Sequence, residues 1–226
     1  MTEEQPNTNA GKGQGPQLGD REAGYPRGEV TGVVLAGGRA LRMGGVDKGL
    51  VQIGDRPMIW HVLQRLRPQV GRIVVNANRN LDAYAEFGLP IVADRTDEFL
   101  GPLSGLAAGM GAATSALVLA VPCDTPLIPT QLASRLYEAC RGGAEIAVAH
   151  DGEVYQPLFV MLRRELLPSL ETFLDGGGRK VMHWYTQHCM SSVDFSDRKE
   201  DFVNVNQADQ IADLLHRLTN DDGAAS

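Results

Sequence analysis

The chain has 226 residues, 28 acidic against 21 basic side chains, a net charge of −7 and 43% hydrophobic residues. That composition excludes a wholly disordered chain and fits one domain of ordinary-to-large size, or two very small ones. The acidic balance argues against a general nucleic-acid binder and still allows a local basic pocket.

Residues 1–28 are rich in Gly, Pro, Gln, Asn and charge, with almost nothing to bury. They read as a disordered N-terminal tail, followed by a single domain over 29–218 and a flexible C-terminal tail over 219–226. The start, MTEEQPNTNA, has neither a basic n-region nor an apolar h-region, so no secretory signal is expected. Cys123, Cys140 and Cys189 are odd in number and widely spaced. They suit neither a disulfide framework nor a zinc site, and point to a reducing, cytoplasmic compartment.

Strand and helix signals then alternate. Thr31 to Ala36 is an apolar run expected of a strand covered on both faces. A glycine-rich stretch follows, from Gly37 to Gly49. Pro57 opens a predicted helix with Ile59, Val62, Leu63 and Leu66 on one stripe. Further strands are expected at Arg72 to Asn76 and Leu89 to Ala93, around a short helix from Leu81 to Phe87 that Gly88 ends. Leu103 to Val121 is nearly uncharged and approaches the length of a membrane span. Its small residues and flanking prolines favour a helix from Gly105 to Ala113 leading into a buried strand, Ala116 to Val121, that Pro122 stops. Then come a helix from Pro129 to Ala139 and a strand from Glu145 to His150. Asp151-Gly152 is a hairpin turn signal before a strand from Val154 to Met161. Helices are predicted at Arg164 to Leu174, Val181 to His188 and Gln207 to Leu218. This alternation implies an α/β fold, a mostly parallel sheet with helices on both faces, whose ligands bind at the carboxyl ends of the strands.

The chemistry-bearing residues fall at those ends. The loop after the first strand combines glycines with Arg39, Arg42 and Lys48. Glycine amides open to close approach, together with three cations, are what a polyphosphate needs. The spacing matches neither a P-loop nor a dinucleotide-binding turn. Asn76-Ala-Asn78-Arg79 ends the second strand and Asp94 the third. Asp124, between Pro122 and Pro126, is a rigidly placed carboxylate suited to Mg²⁺, which takes one or two carboxylates plus substrate phosphates. A turn or helix N-cap is its plainer role. Cys123 has no histidine placed to activate it and reads as a small buried hydrophobe. The five histidines show no metal spacing. Gly176 to Gly178, with Arg179 and Lys180, is read equally as a second anion loop or as a connector.

Leu35-Ala-Gly-Gly, followed by Arg42-Met-Gly and Asp47-Lys48, resembles a nucleotidyltransferase signature. The form of this segment is similar to that of molybdenum cofactor guanylyltransferases. Val74-Val-Asn-Ala-Asn-Arg79, Gly101-Pro-Leu-Ser-Gly105, Pro122-Cys-Asp-Thr-Pro126, Val193-Asp-Phe-Ser-Asp197 and Phe202-Val-Asn-Val-Asn206 extend the resemblance, in the family's order, over about residues 30 to 215. Ser104 and Gln207-Ala208 depart from the family pattern. The resemblance implies a Rossmann-like three-layer sandwich and an enzyme that transfers GMP from GTP to molybdenum-bound molybdopterin (Mo-molybdopterin), with Mg²⁺ and release of pyrophosphate. It implies GTP-binding roles for Leu35, Ala36, Gly37, Gly38, Lys48, Asn76, Asp94 and Asp124, with Arg42, Lys48 and Asp124 catalytic and Asp124 the metal ligand. Asn204 and Asn206 are placed near the metal or the second substrate. Arg79, Gln156 and Arg179 are candidates for gripping the pterin. Cofactor insertion proteins or apo-molybdoenzymes are the macromolecular partners this implies; no nucleic acid and no membrane are expected. A cytidylyltransferase using CTP and a non-catalytic cofactor carrier are the alternatives.

Overall fold

The computed structural model describes residues 24–37, 47–95 and 101–204. Its strands are β1 (Val30–Leu35), β2 (Gln52–Ile53), β3 (Arg56–Pro57), β4 (Arg72–Asn76), β5 (Ile91–Val92), β6 (Leu117–Pro122), β7 (Ile146–His150), β8 (Tyr155–Arg163) and β9 (Met190–Asp194). Its α-helices are α1 (Met58–Leu66), α2 (Leu81–Ala85), α3 (Pro102–Ala112), α4 (Leu132–Arg141), α5 (Leu167–Asp175) and α6 (Val181–Tyr185). The main sheet has the order β5-β4-β1-β6-β8-β7-β9. Strands β5, β4, β1 and β6 run parallel, β8 is antiparallel to both its neighbours, and β9 lies parallel to β7.

Alternation along the strands divides the core between two faces. Val30 and Val34 of β1 join Val62 and Leu66 of α1, Tyr84 of α2 and Leu136 of α4 on one side. Val33 joins Leu106 and Met110 of α3, Leu170 of α5 and Trp184 of α6 on the other. The result is the three-layer α/β sandwich implied by the resemblance. Among the described residues no helix is long and apolar enough to cross a membrane; the uncharged segment from Leu103 splits into α3 and β6.

Several boundaries differ from the sequence reading. Tyr25 is already buried, stacked on Tyr137 at 5.3 Å and donating its hydroxyl to the Gln69 carbonyl, four residues before the expected start at Glu29. Helix α3 begins at Pro102, in the first-turn position proline favours, after Gly101 with φ +79°. Helix α4 begins at Leu132, because Pro129 instead caps a turn whose carbonyl accepts the Leu132 amide at 3.1 Å. Strand β9 and the β2–β3 hairpin have no counterpart in the sequence reading. The Asp151 turn is confirmed: its side chain accepts the Glu153 and Val154 amides, each at 2.8 Å. The predicted helix from Gln207 to Leu218, the proposed C-terminal tail over 219–226 and residues 1–23 of the proposed N-terminal tail lie outside the described residues.

Candidate active site

Parallel pairing brings the tips of three strands level. Leu35 of β1 is in register with Asn76 of β4 and Pro122 of β6. The Ala36 amide donates to the Asn76 carbonyl at 2.8 Å and the Cys123 amide to the Leu35 carbonyl at 3.1 Å. Residues distant in sequence thus leave the sheet side by side.

Lys48 and Asp124 meet there. The Lys48 ammonium donates to Asp124 Oδ2 at 2.8 Å, with side chains 30% and 15% exposed. The pair is open enough to exchange with a ligand and enclosed enough for its charges to be weakly screened. Asp124 follows the fully buried strand β6, so its backbone is fixed. The next residue, Thr125, is buried and donates its hydroxyl to Asn204 Oδ1 at 2.6 Å. Asn204 is brought there by Phe202, which stacks edge-on with Phe159 at 4.8 Å and Phe195 at 5.5 Å.

On the other flank, Asn76 donates from Nδ2 to Asp94 Oδ1 at 2.8 Å and to the Val92 carbonyl at 3.2 Å. Asn78 accepts the Asp94 amide at 2.8 Å and donates to the Gly37 carbonyl at 3.4 Å. Two asparagines therefore orient one carboxylate and tie it to the start of the glycine segment. Gly105, on α3, permits this: a Cβ there would lie 2.1 Å from Asn76 Oδ1.

The structure thus brings together Leu35, Ala36, Gly37, Lys48, Asn76, Asp94, Asp124 and Asn204. Gly38, Arg42 and Asn206 lie outside the described residues. Of the pterin candidates, Arg79 is 3.7 Å from the Asp47 carboxylate. Gln156 is bonded to Asp151 Oδ2 at 2.7 Å, in the β7–β8 turn. Arg179 donates to the carbonyls of Leu174 at 2.8 Å and Gly178 at 2.6 Å, at the end of α5.

The glycine run beyond α5 is neither an anion loop nor a loose connector. Gly177, with φ +84°, donates its amide to the Leu174 carbonyl at 2.9 Å, and Gly178 donates to Phe173 at 2.8 Å. This crossed pair is a Schellman cap, which turns those amides back onto the helix's last carbonyls.

Cys123 is buried, as expected of a small hydrophobe: burial pushes its thiol above the ordinary range, the Asp124 and Asp47 carboxylates add to the shift, and Lys48 opposes it. Asp47, Asn78, Asn80 and Tyr84 were given no role by sequence reasoning; the signals were the adjacency of Asp47 to Lys48 and the place of Asn78 at the end of the second strand. For a divalent cation the relevant donor is Asp124. Among the described residues no group of three or more His, Cys, Asp or Glu could hold a metal. A lone carboxylate fits a hard cation that takes its other ligands from phosphate and water.

A MobA-like NTP transferase domain model matches residues 32–189. The chain is 47% identical over 191 residues to a molybdenum cofactor guanylyltransferase of Shewanella loihica, covering 84% of this chain and 97% of that one. It is 46% identical to one of Shewanella baltica, covering 84% and 98%. Molybdopterin-guanine dinucleotide biosynthesis protein A of Archaeoglobus fulgidus has the same fold, with TM-score 0.70 at 18% identity over 84% of this chain and 99% of that one. With this identity running almost the full length of its relatives, the chain belongs to the molybdenum cofactor guanylyltransferase family.

Proposed function

We propose that this protein transfers GMP from GTP to the terminal phosphate of Mo-molybdopterin, forming the guanine dinucleotide cofactor and pyrophosphate. The observation that carries the reading is the 2.8 Å Lys48–Asp124 pair at the aligned tips of β1 and β6, in a chain with the relatives just described.

In this reaction an oxygen of the molybdopterin phosphate bonds to the α-phosphorus of GTP. The bond from that phosphorus to the bridging oxygen breaks, and pyrophosphate leaves with the electron pair. The nucleophile is already an anion, so no general base is needed. The work is to bring polyanions together and to stabilise charge spreading onto the leaving group. Lys48 supplies a positive charge at the phosphates, and Arg42 a second. The segment Leu35, Ala36, Gly37 and Gly38 is assigned to the nucleotide, where glycine leaves room for close approach of a phosphate. Asn76 and Asp94 hold the nucleoside part; a carboxylate pairs with groups that, like guanine N1–H and the 2-amino group, only donate. Asp124 would hold Mg²⁺, which neutralises phosphate charge when bound. Asn204 and Asn206 are assigned a role in binding the metal or the second substrate.

The test is thermal stabilisation by GTP, CTP, ATP and UTP with Mg²⁺, followed by pyrophosphate release on adding Mo-molybdopterin. A ligand that binds only the folded state at about 100 times its Kd adds about 2.7 kcal/mol. Selective stabilisation by GTP, with pyrophosphate released, is expected. Selectivity for CTP would replace the base and the product. Nucleotide binding without pyrophosphate release would make the protein a carrier.

A further inference from the structure

We propose that Asp47 is a positioning residue for the transfer reaction, acting through Lys48; this rests on the role given to Lys48 above. Asp47 is buried, its side chain only 4% exposed. Both its oxygens are engaged. Oδ1 accepts the Tyr84 hydroxyl at 2.6 Å and the Gly49 amide at 3.2 Å. Oδ2 accepts Asn80 Nδ2 at 3.0 Å and lies 3.7 Å from Arg79 Nε. A carboxylate so used has a different task from Asp124: it gathers donors rather than offering acceptors to a ligand.

Arg79 and Asn80 come from the segment between β4 and α2 and Tyr84 from α2 itself, and what they hold is the turn carrying Lys48. Asp47 caps the 3-10 turn Lys48–Leu50 through the Gly49 amide. Gly49 packs so closely on Tyr84 that a Cβ would lie 2.6 Å from the hydroxyl. Asn80 is the one non-glycine among the described residues with positive φ, at +51°. That conformation is uncommon outside glycine, and asparagine tolerates it best; here it accompanies a side chain bonded to Asp47. The turn is thus clamped from three sides, and its first side chain, Lys48, points to Asp124. A cation displaced by about 1 Å from a developing charge loses on the order of a hundredfold in rate.

Asp47→Asn keeps the size but places an amide donor against donors, so the clamp cannot be fully satisfied. The decisive measurement is a double-mutant cycle on kcat and on KM for GTP, using Asp47→Asn, Lys48→Ala and the pair. Asp47→Asn alone is expected to lower kcat by about tenfold to a hundredfold, with a smaller change in KM. In the Lys48→Ala background it should cost less than about twofold, because the residue through which it acts is gone. Multiplying losses would overturn the proposal and leave Asp47 a general structural group. An unchanged kcat in Lys48→Ala alone would instead remove the catalytic role of Lys48, and with it the premise. If Asp47→Asn shows no cooperative melting, Tyr84→Phe and Asn80→Ala each remove one donor from the same carboxylate, and the same cycle is run with them.

Discussion

The two halves of the sheet use polar residues in opposite ways. At the carboxyl ends of β4, β1 and β6, groups far apart in sequence meet: Lys48 and Asp124 are separated by 76 positions, Asn76 and Asp94 by 18. In the β7–β8 turn and at the end of α5, polar groups answer their own neighbours. Asp151 accepts from residues two, three and five positions on, and the glycines after α5 cap that helix. Strand direction explains the contrast. Parallel strands end on one side, and their connections must cross the sheet, so successive tips collect distant residues. An antiparallel pair closes with a turn that consumes its own polar atoms. The candidate site lies at the parallel tips, and the other half reaches it through Phe202 and Asn204.

The largest effects should therefore lie on the parallel side. Asp124→Ala and Lys48→Ala are each expected to reduce kcat for guanylyl transfer by about 10²–10³, with melting temperatures close to the parent's. Gln156→Ala, in the β7–β8 turn, should leave kcat and KM unchanged. A loss of activity in Gln156→Ala, measured with Mo-molybdopterin as acceptor, would extend the site across β8 and break the division.

Two glycine substitutions sharpen it. Gly105→Ala puts a methyl group into Asn76 Oδ1 and so disturbs the residue that orients Asp94. The expected result is a GTP affinity lower by about tenfold, or about 1.4 kcal/mol, seen by calorimetric titration. Gly177→Ala forces a left-handed backbone onto a residue with a Cβ and should cost roughly 1–2 kcal/mol of stability, read from urea melts, with unchanged GTP affinity. Equal effects of the two on affinity would mean that the cap of α5 bears on the nucleotide site.

The sequence made the layers and the parallel strands legible because buried strands such as Leu117–Pro122 are apolar throughout. It did not reveal β9, whose Met-Ser-Ser-Val-Asp is short and polar and pairs along one edge with β7. Lys48 and Asp124 stood out from their loops, yet nothing local says they touch; they meet because the turn carrying Lys48 packs through Gly49 on Tyr84 and Cys123. The glycine run after α5 was ambiguous because an anion loop and a helix cap need the same residue. What separates them is whether the amides already have acceptors, and that depends on where α5 stops. Asp47 was hidden for a similar reason: its partners Asn80 and Tyr84 belong to another connection.

The smallest effect belongs to the far edge and is visible through pH. Arg135 on α4 makes paired bonds, both 2.7 Å, to the two carboxylate oxygens of Asp197, just past β9. The bond from Arg135 lowers the Asp197 pKa below the ordinary carboxylate range. A carboxyl group held lower in the folded state stabilises the fold above its unfolded pKa, about 3.9. That contribution is lost as pH falls through the folded value, when Asp197 takes up a proton. Asp197→Asn should then lower the melting temperature slightly at pH 7, by less than Gly177→Ala does. The difference from the parent should shrink as pH drops below about 4, and kcat should not move. A gap that persists at low pH would assign the loss to packing of Arg135 over the Phe195 ring, 4.9 Å from its centroid, rather than to charge. The same segment leads to Phe202 and Asn204, so a fall in kcat would show that the edge holds Asn204 against Thr125 and that the two halves are coupled there.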